Sequence, residues 1–304
     1  MKILITGVAG FIGSNLLDYL LGHTDWHITG VDNLSTGNRN NIEKQIGNPR
    51  FAFVEKECTQ IESLKQFDKV FHLAALPRIQ PSFEFINEHI QANLVNAVHL
   101  LEVMIREKHF PRIIYSGSSA IYGTPKTIPT AEDEPIDCLS PYAFQKYEFE
   151  KYMELIATRY PLDYVVLRYF NPYGPRSFNP ANKFNAYSSV VGIFLNKCKN
   201  GEELLVTGDG EQKRDFIHVY DLAAANHKAA IHEGKLNTAF NIGNGSTLSI
   251  LELAKMISPR YKFIPKREGE ADITFANIAK ARKVLKWEPA HKLTDYLQSV
   301  IESK

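Results

Sequence analysis

Three glycines at intervals of three, Gly7, Gly10 and Gly13, stand between a short apolar run and a helical repeat, and nothing else in the chain narrows the choice of fold as much. Lys2–Thr6 has the apolar continuity of a buried strand. Phe11, Ile12, Leu16, Leu17, Leu20 and Leu21 then recur at the spacing of one helix face. In such a strand–turn–helix each glycine has its own task. The first allows the tight turn, the second lets a pyrophosphate approach the backbone, and the third lets helix and strand pack closely. The helix N-terminus behind the turn presents N–H groups to an anion. Asp32 ends a second apolar run, His27–Asp32. A carboxylate there accepts hydrogen bonds from a ribose diol and repels a 2′-phosphate, which favours NAD over NADP. Arg39 is the counter-argument, and a surface role suits it better.

Further candidate strands follow at Arg50–Val54, Val70–Leu73, Arg112–Ser116 and Tyr164–Leu167, with long helical stretches at Phe83–Glu107 and Pro141–Arg159. Strands alternating with helices imply parallel β-α-β units. The predicted fold class is therefore α/β, a doubly wound parallel sheet of the Rossmann kind. After Phe170 the texture changes: Pro172, Pro175 and Pro180 fall close together among many Asn, Tyr and Gly residues. This predicts a smaller, loop-rich C-terminal lobe. Phe216–Ala229 and Ala239–Ile242 look regular again and are expected to return to the first lobe. The division expected is 1–170 with 215–243 for the dinucleotide domain, and 171–214 with 244–304 for an interleaved substrate lobe.

With 304 residues, 44% of them apolar, the chain can bury a large core. A net charge of +1 offers no electrostatic case for a nucleic-acid partner. Cys58, Cys138 and Cys198 are too few and too scattered for a disulfide framework or a zinc site, so no metal is expected. No apolar run approaches the roughly 18 residues of a membrane span. The N-terminal apolar stretch meets Gly7 at once, unlike the longer core of a signal peptide. A cytoplasmic protein with no membrane partner is expected.

Chemistry enters with Tyr142 and Lys146. At i, i+4 they share a helix face, about 5–6 Å apart at Cβ, and an ammonium so placed favours the phenolate, bringing tyrosine within reach of base catalysis. The spacing alone is weak. Tyr122/Lys126 also matches it, but Gly123 and Pro125 argue against a helix there. Tyr147/Lys151 matches too, on another face of the helix of Tyr142.

Seven or more ordered motifs overturn the plain reading. They are Gly7-x-x-Gly-x-x-Gly13, Val31-Asp-Asn-Leu-Ser35, His72-Leu-Ala-Ala75, Ser116-Gly-Ser-Ser-Ala-Ile-Tyr-Gly123, Tyr142-x-x-x-Lys146, Arg168-Tyr-Phe-Asn-Pro-Tyr-Gly174, Gly208–His218 and Arg267-Glu-Gly-Glu270. Through them nearly the whole chain resembles the extended short-chain dehydrogenase/reductases, in their nucleotide-sugar epimerase/dehydratase branch. The resemblance implies that Ser118 binds the oxygen at the reacting carbon, Tyr142 exchanges its proton, and Lys146 holds the nicotinamide ribose. It implies an NAD site made of Gly7, Gly10, Phe11, Ile12, Gly13, Asp32, Asn33, Ser35, Thr36, Gly37, Glu57, Cys58, Leu73, Ala74, Ala75, Asn93, Tyr142, Lys146 and Pro172. Substrate would meet Ser118, Ser119, Tyr142, Asn171, Arg214, Arg267 and Thr274, with Asn171 and the two arginines gripping the diphosphate. Where the family often has Gly-Asp-Ile near the adenine, this chain has Lys56-Glu57-Cys58.

Dehydratases of the branch carry an acidic pair just after the Ser118 position, and its decarboxylases a glutamate at the second of these places. Here Ser119 and Ala120 stand there. The resemblance therefore implies 4-epimerisation of a UDP-sugar: oxidation at C4, rotation of the keto sugar, and re-reduction from its other face. A small residue at the Thr274 position goes with N-acetyl tolerance, so UDP-GlcNAc/GalNAc, UDP-Glc/Gal and a UDP-uronate all remain candidates. A nucleotide-sugar ketoreductase or dehydratase is the alternative reaction, and a non-catalytic NAD-binding scaffold the alternative of another class. Relatives pair the helices corresponding to Phe83–Glu107 and Pro141–Arg159, which implies a homodimer.

Overall fold

A computed structural model describes residues 1–179, 189–266 and 269–302. Its centre is a seven-stranded sheet made of β1 (Lys2–Thr6), β2 (His27–Asp32), β3 (Phe51–Glu55), β4 (Lys69–His72), β5 (Arg112–Ser118), β6 (Tyr164–Tyr169) and β7 (Thr238–Ile242). The strand order is β7-β6-β5-β4-β1-β2-β3, and every pair is parallel. The doubly wound Rossmann fold expected from the alternation is what forms. Strand ends differ by a residue or two from the apolar runs, because a ladder extends wherever partners exist.

Both faces of the sheet are covered, so its strands read as continuous apolar runs. The side-chain period of two still sorts them. Ile3 and Ile5 of β1 join one core with helix α1 (Phe11–His23), while Leu4 between them joins the other. The second core includes helices α2 (Asn96–Glu107) and α3 (Pro141–Ala157). Helix α4 (Val219–Ile231) packs beside α1, and β7 pairs with β6.

A third core lies apart and gathers Tyr173, Val191, Phe194, Leu204, Phe216, Ile250, Leu253 and Leu297. The stretch expected to be one helix at Phe83–Glu107 is broken into Ile79–Glu84, Ile86–Ile90, a π-helical turn at Gln91–Val95, and α2. One part of the 244–304 segment behaves unlike the rest: Ala276, Ile278, Ala281, Leu285 and Trp287 pack on the sheet with α1 and α4. Among the described residues no helix is long and apolar enough to cross a membrane.

Candidate active site

The strand order reverses between β1 and β4, and the loops that leave those strands meet there. A Cβ on Gly7 (φ +72°) would lie 2.7 Å from the Ala74 backbone nitrogen, so only glycine fits. A groove opens beside this contact at the carboxyl ends of the strands, the usual ligand position in such sheets. Gly7, Gly10, Asp32, Asn33, Ser35, Thr36, Gly37, Glu57, Cys58, Leu73, Ala74 and Ala75 line it, as expected of an NAD site. Val31 and Lys56, which flank expected residues in their motifs, also line it, as do Leu76, Ala92 and Asn96, which no motif marks.

Helix α1 opens on Gly10 with no side-chain cap and no acid in its first turn. The N–H groups of Phe11, Ile12 and Gly13 therefore face outward for an anion, as the first N–H groups of any helix do. Gly13 does not line the groove. A Cβ there would lie 2.1 Å from the Gly7 carbonyl oxygen, so its lack of a side chain serves packing. Asp32 accepts from the backbone N–H of Ala9 at 2.9 Å and of Leu34 at 2.8 Å. Burial pushes its pKa up and these two bonds pull against that. Two anchored oxygens keep lone pairs for a diol. Glu57, in place of the family's aspartate, accepts from Asn33 at 2.6 Å and from Asn96 at 3.2 Å. Arg39 turns away to Glu55 at 3.7 Å on the surface. The groove is thus built for a ribose diol and an adenine beside carboxylates, which fits NAD.

Asn93, expected on the cofactor, is fully committed inside the protein. Its amide accepts from Leu76 N–H at 2.7 Å and donates to Leu76 carbonyl at 3.1 Å and to Gln145 at 2.9 Å. It ties the groove wall to the residue before Lys146. The π-helical turn supplies this placement, and nothing in the sequence announces it.

Ser140 caps helix α3 by accepting from Ala143 N–H at 3.2 Å, with Pro141 in the first turn, and this sets Tyr142 and Lys146 at the helix start. Ser118 ends β5 and accepts from Ala120 N–H at 3.2 Å. The Tyr142 phenol lies near enough to Ser118 for Ser118 to oppose the rise of its pKa, so the three expected catalytic residues come together. The electrostatics differ from the expectation. Burial raises the Tyr142 pKa above the ordinary phenol, opposed by Ser118 and by the Arg78 guanidinium, a residue not foreseen. Lys146 has little part in it, because its Nζ donates to the Ser116 carbonyl at 2.9 Å and lies 4.8 Å over the Tyr115 ring. Burial lowers its own pKa to about 7, against the pull of Glu150.

Across the site, Asn171 (φ +33°) donates to the Asp215 carbonyl at 2.9 Å and to the Thr274 hydroxyl at 2.8 Å. Arg214 sits between strands Leu248–Ser249 and Ile273–Thr274 and reaches Glu270 at 3.5 Å. Three of the expected substrate residues are thus assembled from distant segments. Pro172 begins a two-residue strand against Ile217–His218, and Ser119 opens the turn after Ser118. Arg267 lies outside the described residues.

A profile of the NAD dependent epimerase/dehydratase family matches residues 3–243. The chain belongs to that family. UDP-glucose 4-epimerase of Mycolicibacterium smegmatis is 32% identical, over 99% of this chain and 98% of that protein. Among solved structures, UDP-glucose 4-epimerase of Thermotoga maritima with UDP-glucose is 35% identical with a TM-score of 0.88, covering 99% of this chain and 98% of that one. UDP-N-acetylglucosamine 4-epimerase of Methanobrevibacter ruminantium, in complex with UDP-N-acetylmuramic acid, is 30% identical with a TM-score of 0.89, covering 99% and 97%. As a member of the epimerase/dehydratase family the protein is an NAD-dependent enzyme of UDP-sugar chemistry, and the groove described above is where NAD fits.

Proposed function

We propose that this family member is a UDP-sugar 4-epimerase that keeps its NAD through the cycle. The observation that carries the reading is the meeting of Ser118, Tyr142 and Lys146 with no carboxylate at positions 119 and 120. Epimerisation needs a single proton shuttle, whereas water elimination and decarboxylation need a further acid or base. Ser118 holds the C4 oxygen against Tyr142. Tyr142, as phenolate, removes the C4 hydroxyl proton and later returns it. The groove lined by Gly7, Gly10, Asp32 and Ala74 would hold NAD, which would supply the reversible hydride transfer at C4. Lys146 supplies positive charge at the ribose side, and Arg214, Arg267 and Asn171 hold the diphosphate while the keto sugar turns. Thr274 leaves room for an N-acetylated hexose beside plain hexoses, and its hydroxyl steadies Asn171.

We also propose a homodimer. Phe83, Ile86, Ile90 and Val95 on one helical stretch and Phe144, Tyr152 and Leu155 on α3 are large apolar side chains left exposed, between 39% and 64%. Such a patch on packed neighbouring helices fits a second copy.

The test is turnover of UDP-GlcNAc, UDP-Glc and UDP-glucuronate without added cofactor, read by NMR of the anomeric protons. Formation of the C4 epimer is expected, and Tyr142→Phe should lower kcat by roughly 10²–10⁴-fold, the usual worth of an acid–base group. A Tyr142→Phe enzyme turning over at the wild-type rate refutes the mechanism.

A further inference from the structure

Lys146 is 3% exposed, and Glu150 stands four residues on, one turn along the same helix. Glu150 is 6% exposed and is clamped by Arg168, whose Nε donates at 3.2 Å and 3.3 Å and whose Nη2 donates at 2.7 Å. Arg168, itself 7% exposed, also donates to the Tyr122 hydroxyl at 2.7 Å and to the Glu132 carbonyl at 3.1 Å. Tyr122 in turn donates to Asn241 at 2.7 Å, and Asn241 donates its backbone N–H to the Glu132 carboxylate at 2.8 Å. The network runs from helix α3 through β6 to β7 and the loop before α3. None of these residues lines the cofactor groove.

We propose that Glu150 and Arg168 form a built-in counter-ion relay that keeps Lys146 charged, Glu150 as a positioning residue acting through Lys146 and Arg168 as the clamp that keeps Glu150 ionised in the core. The proposal rests on the role given to Lys146 above. A buried ammonium tends to lose its proton, and an opposite charge within about 4–6 Å restores the charged form. The other groups facing Lys146 do not supply that charge. His72 from β4 is buried and neutral, Tyr115 from β5 presents its ring, and burial favours the neutral Tyr142 phenol before NAD and substrate bind. Glu150 accordingly holds the Lys146 pKa up against burial, which brings it to about 7.

The sign follows. Removing the carboxylate lowers the Lys146 pKa from about 7, so the charged fraction at pH 8 falls about tenfold, that at pH 6 falls about twofold, and that at about pH 5 is largely kept. The experiment compares NAD-loaded wild type with Glu150→Gln. One readout is Lys146 titration by ¹³Cε NMR, assigned with Lys146→Met. The other is the pH profile of kcat and KM with UDP-glucose. Lys146 should titrate about one pH unit lower in the variant, and the alkaline limb of kcat should move with it, about tenfold in rate per unit, with KM little changed. Glu150→Asp, which keeps the charge, should lie between the two. Because breaking a buried pair can unfold a protein while removing both partners is often tolerated, Glu150→Gln/Arg168→Met serves as the companion variant and should shift the same way. An unshifted Lys146, with activity lowered equally at every pH, overturns the relay and leaves the pair merely structural. A shifted Lys146 in a protein that epimerises nothing upholds the relay and refutes the reaction instead.

Discussion

Substituting alanine at Gly13 and at Gly10 separates two tasks that one sequence motif combines. At Gly13 the added Cβ would lie 2.1 Å from the Gly7 carbonyl oxygen and 2.9 Å from both the Gly7 carbonyl carbon and Val8 Cα. All three are backbone atoms of the glycine loop, and the first is over an ångström inside ordinary contact. Either the loop or helix α1 must move. Overpacking of this sort costs roughly 1–3 kcal/mol, offset by about 0.5–1 kcal/mol from alanine's better helix propensity. A net loss of about 1–2 kcal/mol is expected with or without cofactor. At Gly10 the only atom within 4 Å, among the described residues and apart from its chain neighbours and the backbone of its own helix, is the Gly7 oxygen at 3.2 Å, and Gly10 lines the groove. Its stability should stay within about 0.5 kcal/mol of wild type, the range of substitutions outside the core. The methyl would instead stand where the pyrophosphate approaches, and a loss of about 1.4 kcal/mol there is a tenfold weaker Kd for NAD. Urea unfolding of NAD-free protein and calorimetric titration with NAD measure both quantities. A Gly13→Ala protein as stable as wild type, or a Gly10→Ala protein that binds NAD normally, refutes the division of labour.

Stability should also carry the mark of His72, whose pKa burial pulls down to about 3. Below pH 6.5 the unfolded chain takes up a proton there and the folded one does not, so stability is full above that pH and falls by about 1.4 kcal/mol per unit toward pH 3. His72→Phe should flatten that slope by one proton, measured as urea midpoints between pH 6.5 and 4; an unchanged slope counts against it. Leu155→Glu puts a charge in the exposed apolar face of α3, and sedimentation should show the wild type as the proposed dimer and the variant as a monomer, a dimeric variant being the contrary result. Thr274→Tyr should depress turnover of UDP-GlcNAc at least tenfold more than that of UDP-Glc; equal effects on both would remove Thr274 from the size reading.

Much of this protein is local enough to be legible in the chain. The strand–glycine–helix opening, the alternation of strands and helices, Asp32 at a strand end and the Tyr142/Lys146 pair are properties of contiguous residues, because turn geometry and periodicity act over a few positions. The helix start at Pro141 is likewise announced by Ser140. Tertiary structure decided what depends on meetings between distant segments. The sequence marks Asn93 as polar, but only the π-helical turn aims it at Leu76 and Gln145. Spacing places Lys146 beside Tyr142, but only the packed layers give its ammonium the carbonyl of Ser116 on another element. Glu150 and Arg168 look like two ordinary charges until β6 is laid against α3 and water is excluded from both. Periodicity and turn chemistry are carried by neighbours in the chain. Hydrogen-bond partners and charge states depend on desolvation, which exists only once the layers have packed.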